Sequence, residues 1–493
     1  MQKYPVVLFF RYDAYKDIDR FLDENKESID CDLRIVSSRD ELVKLFDPNF
    51  NILVTYGPID NEYNKDVNAV IAQRMRKRWI HFTKIENVRE FSRGINYCYI
   101  DCVVSQRESI RPIFSAFTTC YNSYEKIRRP LQSLLNQTLV DWEWVVLDDS
   151  PDDKHFNFLR ELFKGNPKVR LYKRSENSGN IGNVKNEAAS LCRGKYVLEL
   201  DHDDEIVSDL FDKACSAFEQ NQDVGFIYTD CINIYENGNN YRYGDFIGLG
   251  YAGYYCEKFR DKWVYVYVTP QINNVTLSHL VSLPNHARIW KREVLNKIGN
   301  YCEFLPINDD QELLMRTAIE TTILKLPGIS YIQYMNENNN NFSLIRNAEI
   351  NRIGPLFLRP QFYERYKVNE VMKDRNAYDD PLRIWNNERV WLRESFKPSF
   401  CNKIYQPRWD TQYCIVGMHN FLEKFDEISE LYKNPRNDFF LIDSGGDIHA
   451  LWGFLDSYGF QRMKCYTIKD LTTEQMVAYF NLIYKTAENG IVI

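Results

Sequence analysis

The stretch GKYVLELDHDDEI, Gly194 to Ile206, constrains this chain more than any other. Its apolar run from Tyr196 to Leu200 reads as a buried strand that passes directly into carboxylates at Asp201, Asp203 and Asp204, with an imidazole at His202 between them. If strand alternation continues through the acidic residues, Asp201 and Asp203 face one side and Asp204 the other, with His202 turned away from the first pair. Two carboxylates on one face, at the carboxyl end of a buried strand, make a hard-oxygen site suited to a divalent cation that carries phosphate oxygens. Taken alone, a D-x-D triplet is commonly no more than an acidic turn ending a strand. The flanking sequence decides between the two.

At 493 residues the chain exceeds one ordinary core, so two or three domains are expected. Hydrophobic residues at 44% and charged residues at 27% are ordinary for a folded globular protein and argue against large-scale disorder. The net charge of -7 argues against nonspecific nucleic-acid binding and against a polybasic membrane patch. The 12 Cys residues are scattered, without C-x-x-C pairs or a Cys/His cluster, which favours thiols in a reducing compartment over a disulfide framework or zinc site. No basic segment followed by an apolar stretch opens the sequence, and no apolar run reaches membrane-spanning length. A soluble, cytoplasmic protein is the expectation, with the sequons at Asn136, Asn274 and Asn341 unused.

Residues 1–108 read as a small α/β domain of Rossmann or flavodoxin type, with a structural or partner-binding role. Strands are expected at Tyr4 to Phe10, Leu33 to Val36 and Asn51 to Thr55, with helices at Tyr15 to Glu24 and from a Ser38 cap through Asp40 to Phe46. No glycine-rich phosphate loop marks this part. The polar segment before Pro112 suggests a boundary, after which the chain resumes with a strand at Ile113 to Phe117 and the loop TTCYNS, Thr118 to Ser123. A helix, the strand Trp144 to Leu147 running into DDSPDD, a further helix and strand, and NSGNIGNVKNEAAS (Asn177 to Ser190) lead back to the acidic tip. This βαβαβ order places ligands at the carboxyl ends of its strands.

Several blocks in this order carry a resemblance: TTCYN, the Q-T-x-x-D-W-E stretch from Gln137 to Glu143, DDS at Asp148 to Ser150, N-x-G-x-x-x-N at Asn180 to Asn186, GKYVLELDHDD, and NDDQELLMR at Asn308 to Arg316. Each is weak alone, and together at this spacing they are specific. Residues 113 to about 350 resemble a family 2 glycosyltransferase of GT-A fold, an inverting enzyme that uses a nucleotide diphosphate sugar. The resemblance implies a central GT-A domain at 109–350, with a mixed, mostly parallel sheet, flanked by smaller α/β domains.

By that resemblance Thr119 and Tyr121 contact the nucleotide, and Asp149 accepts a hydrogen bond from the base edge, which suits uracil and hence a UDP-sugar. Lys185, with Asn180 and Gly182, opens a helix whose amides suit phosphate, although the same residues also suit a plain turn. Asp201 is expected near the ribose and Asp203 on Mn²⁺ or Mg²⁺. Asp310 is implied as the general base, with Asp309 as runner-up and Glu312 orienting the acceptor. Alone, acidic residues in a first helical turn would only complement the helix dipole. The acceptor implied is a hydroxyl on a glycan, glycoprotein or other glycoconjugate, and assembly as a homo-oligomer stays open.

One departure concerns metal binding. Many relatives carry a histidine after a Tyr-rich strand, whereas this chain has SYIQYMNENNNNFSLIR, with Asn336 or Asn338 in that place; His286, in PNHARIW, is the other candidate. The asparagine-rich stretch through Ser343 reads as a closing loop, with Arg346 available to the diphosphate. Rings at Tyr241, Tyr243, Tyr251, Tyr254, Tyr255, Trp263, Tyr265 and Tyr267 suggest an acceptor side, although WVYVYV alternates like a strand and one set of rings then belongs to the core. Residues 351–400 read as a helical linker docked by Trp385 and Trp391, and 401–493 as a third small α/β domain in which Asp443-Ser-Gly-Gly forms a glycine turn or a phosphate loop. A noncatalytic protein that keeps the fold and binds nucleotide or carbohydrate is the alternative function.

Overall fold

The computed structural model describes residues 6–11, 17–29, 31–38, 40–41, 52–58, 67, 78–102, 111–174, 176–243, 251–280, 283–335, 346, 348–380, 399–406, 409–486 and 490–493. Asn336, Asn338, Trp385, Trp391 and most of the helix expected through Phe46 lie outside the described residues. The chain divides into two units. The first comprises Met1–Tyr124, Asp141–Val197 and Leu295–Phe304, and the second Glu125–Val140, Leu198–Val294 and Leu305–Ile493.

The first unit opens with strands β1 (Val6–Phe10), β2 (Asp32–Val36), β3 (Ile52–Tyr56) and β4 (Trp79–Phe82), in the order β2-β1-β3-β4. All three pairings are parallel. Parallel strands covered on both faces read as unbroken apolar runs, and β1 is buried at every position. Val7, Phe9, Ile52 and Val54 pack with Ile18 and Leu22 from the helix Asp17–Glu24, and with Phe91 and Ile95 from the helix Val88–Cys102. The strand Trp79–Phe82 has only four residues, too short a run to stand out in the sequence.

A second sheet in this unit holds β5 (Phe114–Cys120), β6 (Trp142–Asp148) and β7 (Val169–Lys173), all parallel. The first residues of β8 (Tyr196–Glu199) join it beside β5, with the Tyr196 N–H donating to the Ile113 carbonyl at 3.0 Å. Gly194 is required just before this point, because a Cβ there would lie 2.5 Å from the Ser115 nitrogen. Under the sheet, Glu143 takes Ser115 Oγ, Arg170 and Arg193 at 2.6, 3.2 and 2.7 Å. Burial alone would raise its pKa, but the two guanidiniums hold it below the usual carboxylate value.

The second unit is built on β10 (Val224–Tyr235), after the short β9 (Glu205–Ile206). The hairpin β11 (Gly253–Phe259) and β12 (Lys262–Val268) turns through Arg260 and Asp261, both in the left-handed region that a two-residue hairpin turn demands. β12 and β13 (Arg288–Lys291) are antiparallel to β10, and β14 (Thr322–Met335) runs parallel to it. β14 also pairs with β9 and with β15 (Lys403–Ile404). β16 (Thr411–Val416), β17 (Asn437–Asp443), β18 (Lys464–Thr467) and β19 (Gly490–Val492) form a parallel group ordered β19-β16-β17-β18, joined to β11 by an antiparallel bridge at Cys256 and Cys465. The α/β class is as the sequence implies, and the strands form one small parallel sheet and a large mixed one.

Most of the expected acceptor rings are core. Tyr251, Tyr254, Tyr255, Trp263 and Tyr267 are buried, because helices from the C-terminal segment lie against the β11/β12 hairpin. Trp263 stacks on Trp452 of the helix Ile448–Ser457 at 6.1 Å, and Tyr479 Oη of the helix Thr473–Ile483 donates to the Tyr254 carbonyl at 2.6 Å. Among the described residues no helix is long and apolar enough to cross a membrane.

Candidate active site

β8 stops at Glu199, so Asp201 to Asp204 form a turn and the alternation argued from the strand does not reach them. Tertiary partners set their directions instead. The Asp204 carboxylate is buried and accepts from the Tyr334 N–H at 2.8 Å. Burial first, then the neighbouring Asp203 and Asp201 charges, push its pKa upward. It anchors the turn to β14. Asp201 and Asp203 stay nearer the surface, with side chains 38% and 13% exposed. The Asp201 N–H donates to Tyr331 Oη at 3.1 Å.

Cations gather at this turn. Lys126 Nζ lies 3.6 Å from Asp203 Oδ2, and the Arg129 guanidinium donates to the Asp203 carbonyl while sitting 3.5 Å over the Tyr334 ring. Arg129 also pairs with Glu236 at 2.5 Å. Neither cation was identified from the sequence, although EKIRRP, directly after the first-strand loop, packs three basic residues into one turn. His202 Nδ1 is 4.0 Å from Asp203 Oδ1.

The segment Pro284–Arg288 links the acidic turn to the helix Asp309–Glu320. His286 stacks on Tyr331 at 4.5 Å and brings Nε2 to 3.5 Å from Asp201 Oδ2. Two residues on, the buried Arg288 donates to Glu199 Oε2 and to Asp310 Oδ2, both at 3.0 Å, and through Nε to the Pro284 carbonyl at 2.9 Å. Residues i and i+2 of an extended segment are about 7 Å apart. One short piece of chain therefore touches both carboxylate groups.

The three acids of the NDDQEL turn have different surroundings. Glu312 is buried, bidentate to Arg316 at 2.6 and 2.5 Å, and accepts from Tyr366 Oη at 2.7 Å, so it ties the helix to the following segment. Asp309 is buried at 4%, while the Asp310 side chain retains 16% exposure. Asn308 enters the helix in the left-handed conformation against Gly354, where an added Cβ would lie 2.2 Å from Asn308 Oδ1. Arg346 pairs with Glu349 and donates to the Pro306 carbonyl at 3.2 Å.

Among the described residues no three His, Cys, Asp or Glu side chains converge as a metal-holding group. Mg²⁺-type sites that carry substrate phosphates use one or two carboxylates, with phosphate and water oxygens completing the sphere. Two ligands each about 2.1 Å from one ion in octahedral geometry lie roughly 3 Å apart. Asp201 Oδ2 and His286 Nε2, at 3.5 Å, approach that spacing, with Asp203 beside them in the turn. Asp201 and His286 are thus spaced as two donors to one cation could be.

The first unit holds the other expected residues. Tyr121 is exposed and Thr119 half-buried at the end of β5. Asp148 is buried in a network in which its Oδ1 accepts from His155 Nδ1–H at 2.8 Å and from the Ser150 hydroxyl at 2.6 Å. The other ring nitrogen of His155 accepts from the Ser123 N–H at 3.1 Å, which fixes the loop after β5. Asp149 accepts from the Ser178 N–H and from Asn177 Nδ2, both at 2.9 Å, and burial raises its pKa. Asn180 caps the helix Ile181–Ser190, with its side chain accepting from the Asn183 N–H, and Lys185 Nζ lies 5.6 Å over the Tyr301 ring.

Comparison with known proteins gives the frame for these residues. Residues 115–299 match the family described as Glycosyl transferase family 2. A chondroitin synthase of Escherichia coli is 34% identical over 128 residues, 26% of this chain and 18% of that protein. A poly(ribitol-phosphate) beta-glucosyltransferase of Bacillus spizizenii is 34% identical over 104 residues, 21% of this chain and 16% of that protein. This chain therefore spans less than a fifth of the length of either relative. The solved structure of S. aureus TarS 1-349 in complex with UDP is 19% identical with a TM-score of 0.35, covering 54% of this chain and 72% of that one. Residues 115–299 of this chain are a glycosyl transferase family 2 domain.

Proposed function

We propose that this chain transfers a sugar, with inversion, from a nucleotide diphosphate sugar, most simply a UDP-sugar, to a hydroxyl of a glycan or glycoconjugate. The observation that carries the reading is the Pro284–Arg288 segment, which sets His286 against Asp201 and Arg288 against Asp310 within one stretch of the family 2 domain and its continuation. Asp310 is the general base. It is the most exposed of the three acids named for that turn, and Arg288 fixes its orientation through one carboxylate oxygen. An ionised aspartate in a partly desolvated place can take the acceptor proton as the hydroxyl attacks the anomeric carbon.

Asp203, with Asp201 and His286 beside it, would hold Mn²⁺ or Mg²⁺. Such a cation, when bound, supplies charge neutralisation on the leaving diphosphate, an effect largest in the transition state. Lys126 and Arg129 add fixed positive charge at the same turn. By family resemblance Thr119, Tyr121 and Asp149 take the nucleotide, Lys185 the phosphates and Asp201 the ribose. The proposed domains are 1–108 for structure or partner binding, 109–350 for transfer, a linker at 351–400 and a small α/β domain at 401–493. Composition and the scattered cysteines favour the cytoplasm.

The test is turnover of a UDP-sugar panel with Mn²⁺ in the full chain, with the anomeric configuration of the product read by NMR. Inverted product is expected, lost in Asp203→Asn and in Asp310→Asn. Wild-type turnover in both variants would sink the assignment, and UDP binding without turnover on any donor would favour the noncatalytic alternative.

A further inference from the structure

We propose that a cavity of about 290 Å³ between the β11/β12 hairpin and the carboxyl ends of β17 and β18 is a second glycan-binding site that takes one anionic sugar unit. It shares no lining residue with the proposed transfer site. Its walls include Arg242, Tyr254, Tyr265, Tyr466, Thr467 and Lys469. At the small end of the roughly 300–1,000 Å³ typical of ligand pockets, it suits a monosaccharide-sized group.

Its chemistry is one-sided. Among the described residues lining it, Arg242 and Lys469 are the charged ones, both exposed, and none is a carboxylate. Two acids of the adjoining turn are committed elsewhere. Asp443 accepts from the Met418 and Gly445 N–H groups at 3.0 and 2.8 Å, and Asp447 caps its helix through the His449 and Ala450 N–H groups at 3.0 Å. The Asp443-Ser-Gly-Gly turn is thus braced from within, and Gly446, with φ +82°, donates to Thr467 Oγ1 at 2.7 Å.

Below the cations lies a rigid aromatic wall. Tyr254 and Tyr466 are buried, and Arg242 Nη1 donates to Tyr466 Oη at 2.9 Å. The same guanidinium lies 5.1 Å from the centre of the half-buried Tyr265 ring. Ring faces suit sugar C–H surfaces, and a guanidinium suits carboxylate or phosphate oxygens. The position outside the carboxyl ends of parallel strands is where open α/β sheets place ligands.

That the anion belongs to a glycan rests on the proposed function, whereas the charge preference does not. The test is calorimetric titration of the full chain with glucuronic acid, glucose 6-phosphate, glucose and inorganic phosphate. One or both charged sugars should bind at least tenfold more tightly than glucose or phosphate, and which of them binds identifies a carboxylate-bearing or phosphate-bearing glycan. The variant R242Q/K469Q, which alters two exposed side chains, should keep its circular dichroism and its donor turnover but lose at least tenfold in this binding. Equal affinity for glucose, no binding of either charged sugar, phosphate binding as tightly as the sugar phosphate, or wild-type binding by R242Q/K469Q each overturns the proposal. Donor turnover, measured separately, reports on the transfer reading, and Asp203→Asn should leave the sugar titration unchanged.

Discussion

Replacing Asp310 by asparagine separates a chemical role from a structural one, because the structure bounds the structural cost. In the folded chain Asp310 Oδ2 accepts from Arg288 at 3.0 Å and Oδ1 from the Gln311 N–H at 2.8 Å, and its side chain is not fully buried. A charge-assisted hydrogen bond is worth about 1.5–3 kcal/mol, and the amide oxygen can keep part of it, so the loss of stability should be about 1 kcal/mol. Arg288 retains Glu199 and the Pro284 carbonyl, so the buried guanidinium does not become an orphan. Removing a general base costs about 10²–10⁴ in rate, which is roughly 2.7–5.4 kcal/mol on the barrier. Steady-state transfer with saturating acceptor should therefore show kcat reduced by that factor, with donor KM within about twofold and urea unfolding shifted only slightly. A variant that keeps kcat within about threefold of wild type, while Asp309→Asn loses it, would place the base elsewhere and refute the reasoning.

Other perturbations test neighbouring parts. Arg288→Met leaves Glu199 buried without its cation, so stability should fall by about 3–5 kcal/mol, and unchanged unfolding would contradict the bridging role. His286→Gln should raise the Mn²⁺ concentration needed for half-maximal turnover about tenfold, while EDTA abolishes turnover of both forms; an unaltered Mn²⁺ titration excludes the histidine. Glu143 has a lowered pKa in the fold, so its carboxylate contributes stability above the unfolded value of about 4.3, and that contribution is lost as pH falls through the lowered folded value. Hydrogen exchange of β5 and β6 amides should show Glu143→Gln destabilised at pH 7, with the gap to wild type closing below about pH 4; a constant gap argues against the ion pairs. Gly354→Ala should cost about 1–3 kcal/mol through the clash with Asn308, visible as a lower urea midpoint, and no shift would mean that the segment yields there.

The sequence by itself determined the strand and helix order of the βαβαβ stretch from Ile113 to Leu200, the α/β class and the acidic stretch that ends it. Those signals are local: apolar runs, caps and short motifs depend on residues a few positions apart. The glycine turn after Asp443 and the helix start at Asn180 were legible for the same reason.

Only the tertiary structure decided which side chains face one another. Alternation ended with the hydrogen-bond ladder at Glu199, so the directions of Asp201, Asp203 and Asp204 came from Tyr331, Tyr334, Lys126 and His286, residues far apart in the chain. The tyrosines of the β11/β12 hairpin went into the core because C-terminal helices cover them, a fact no periodicity within the hairpin contains. Arg288 was passed over because an arginine in a strand reads as a surface residue until the buried Glu199 and the half-buried Asp310 are seen to meet it. A one-dimensional pattern reports which residues prefer burial; the partner that satisfies a buried charge is fixed only when distant segments close on it.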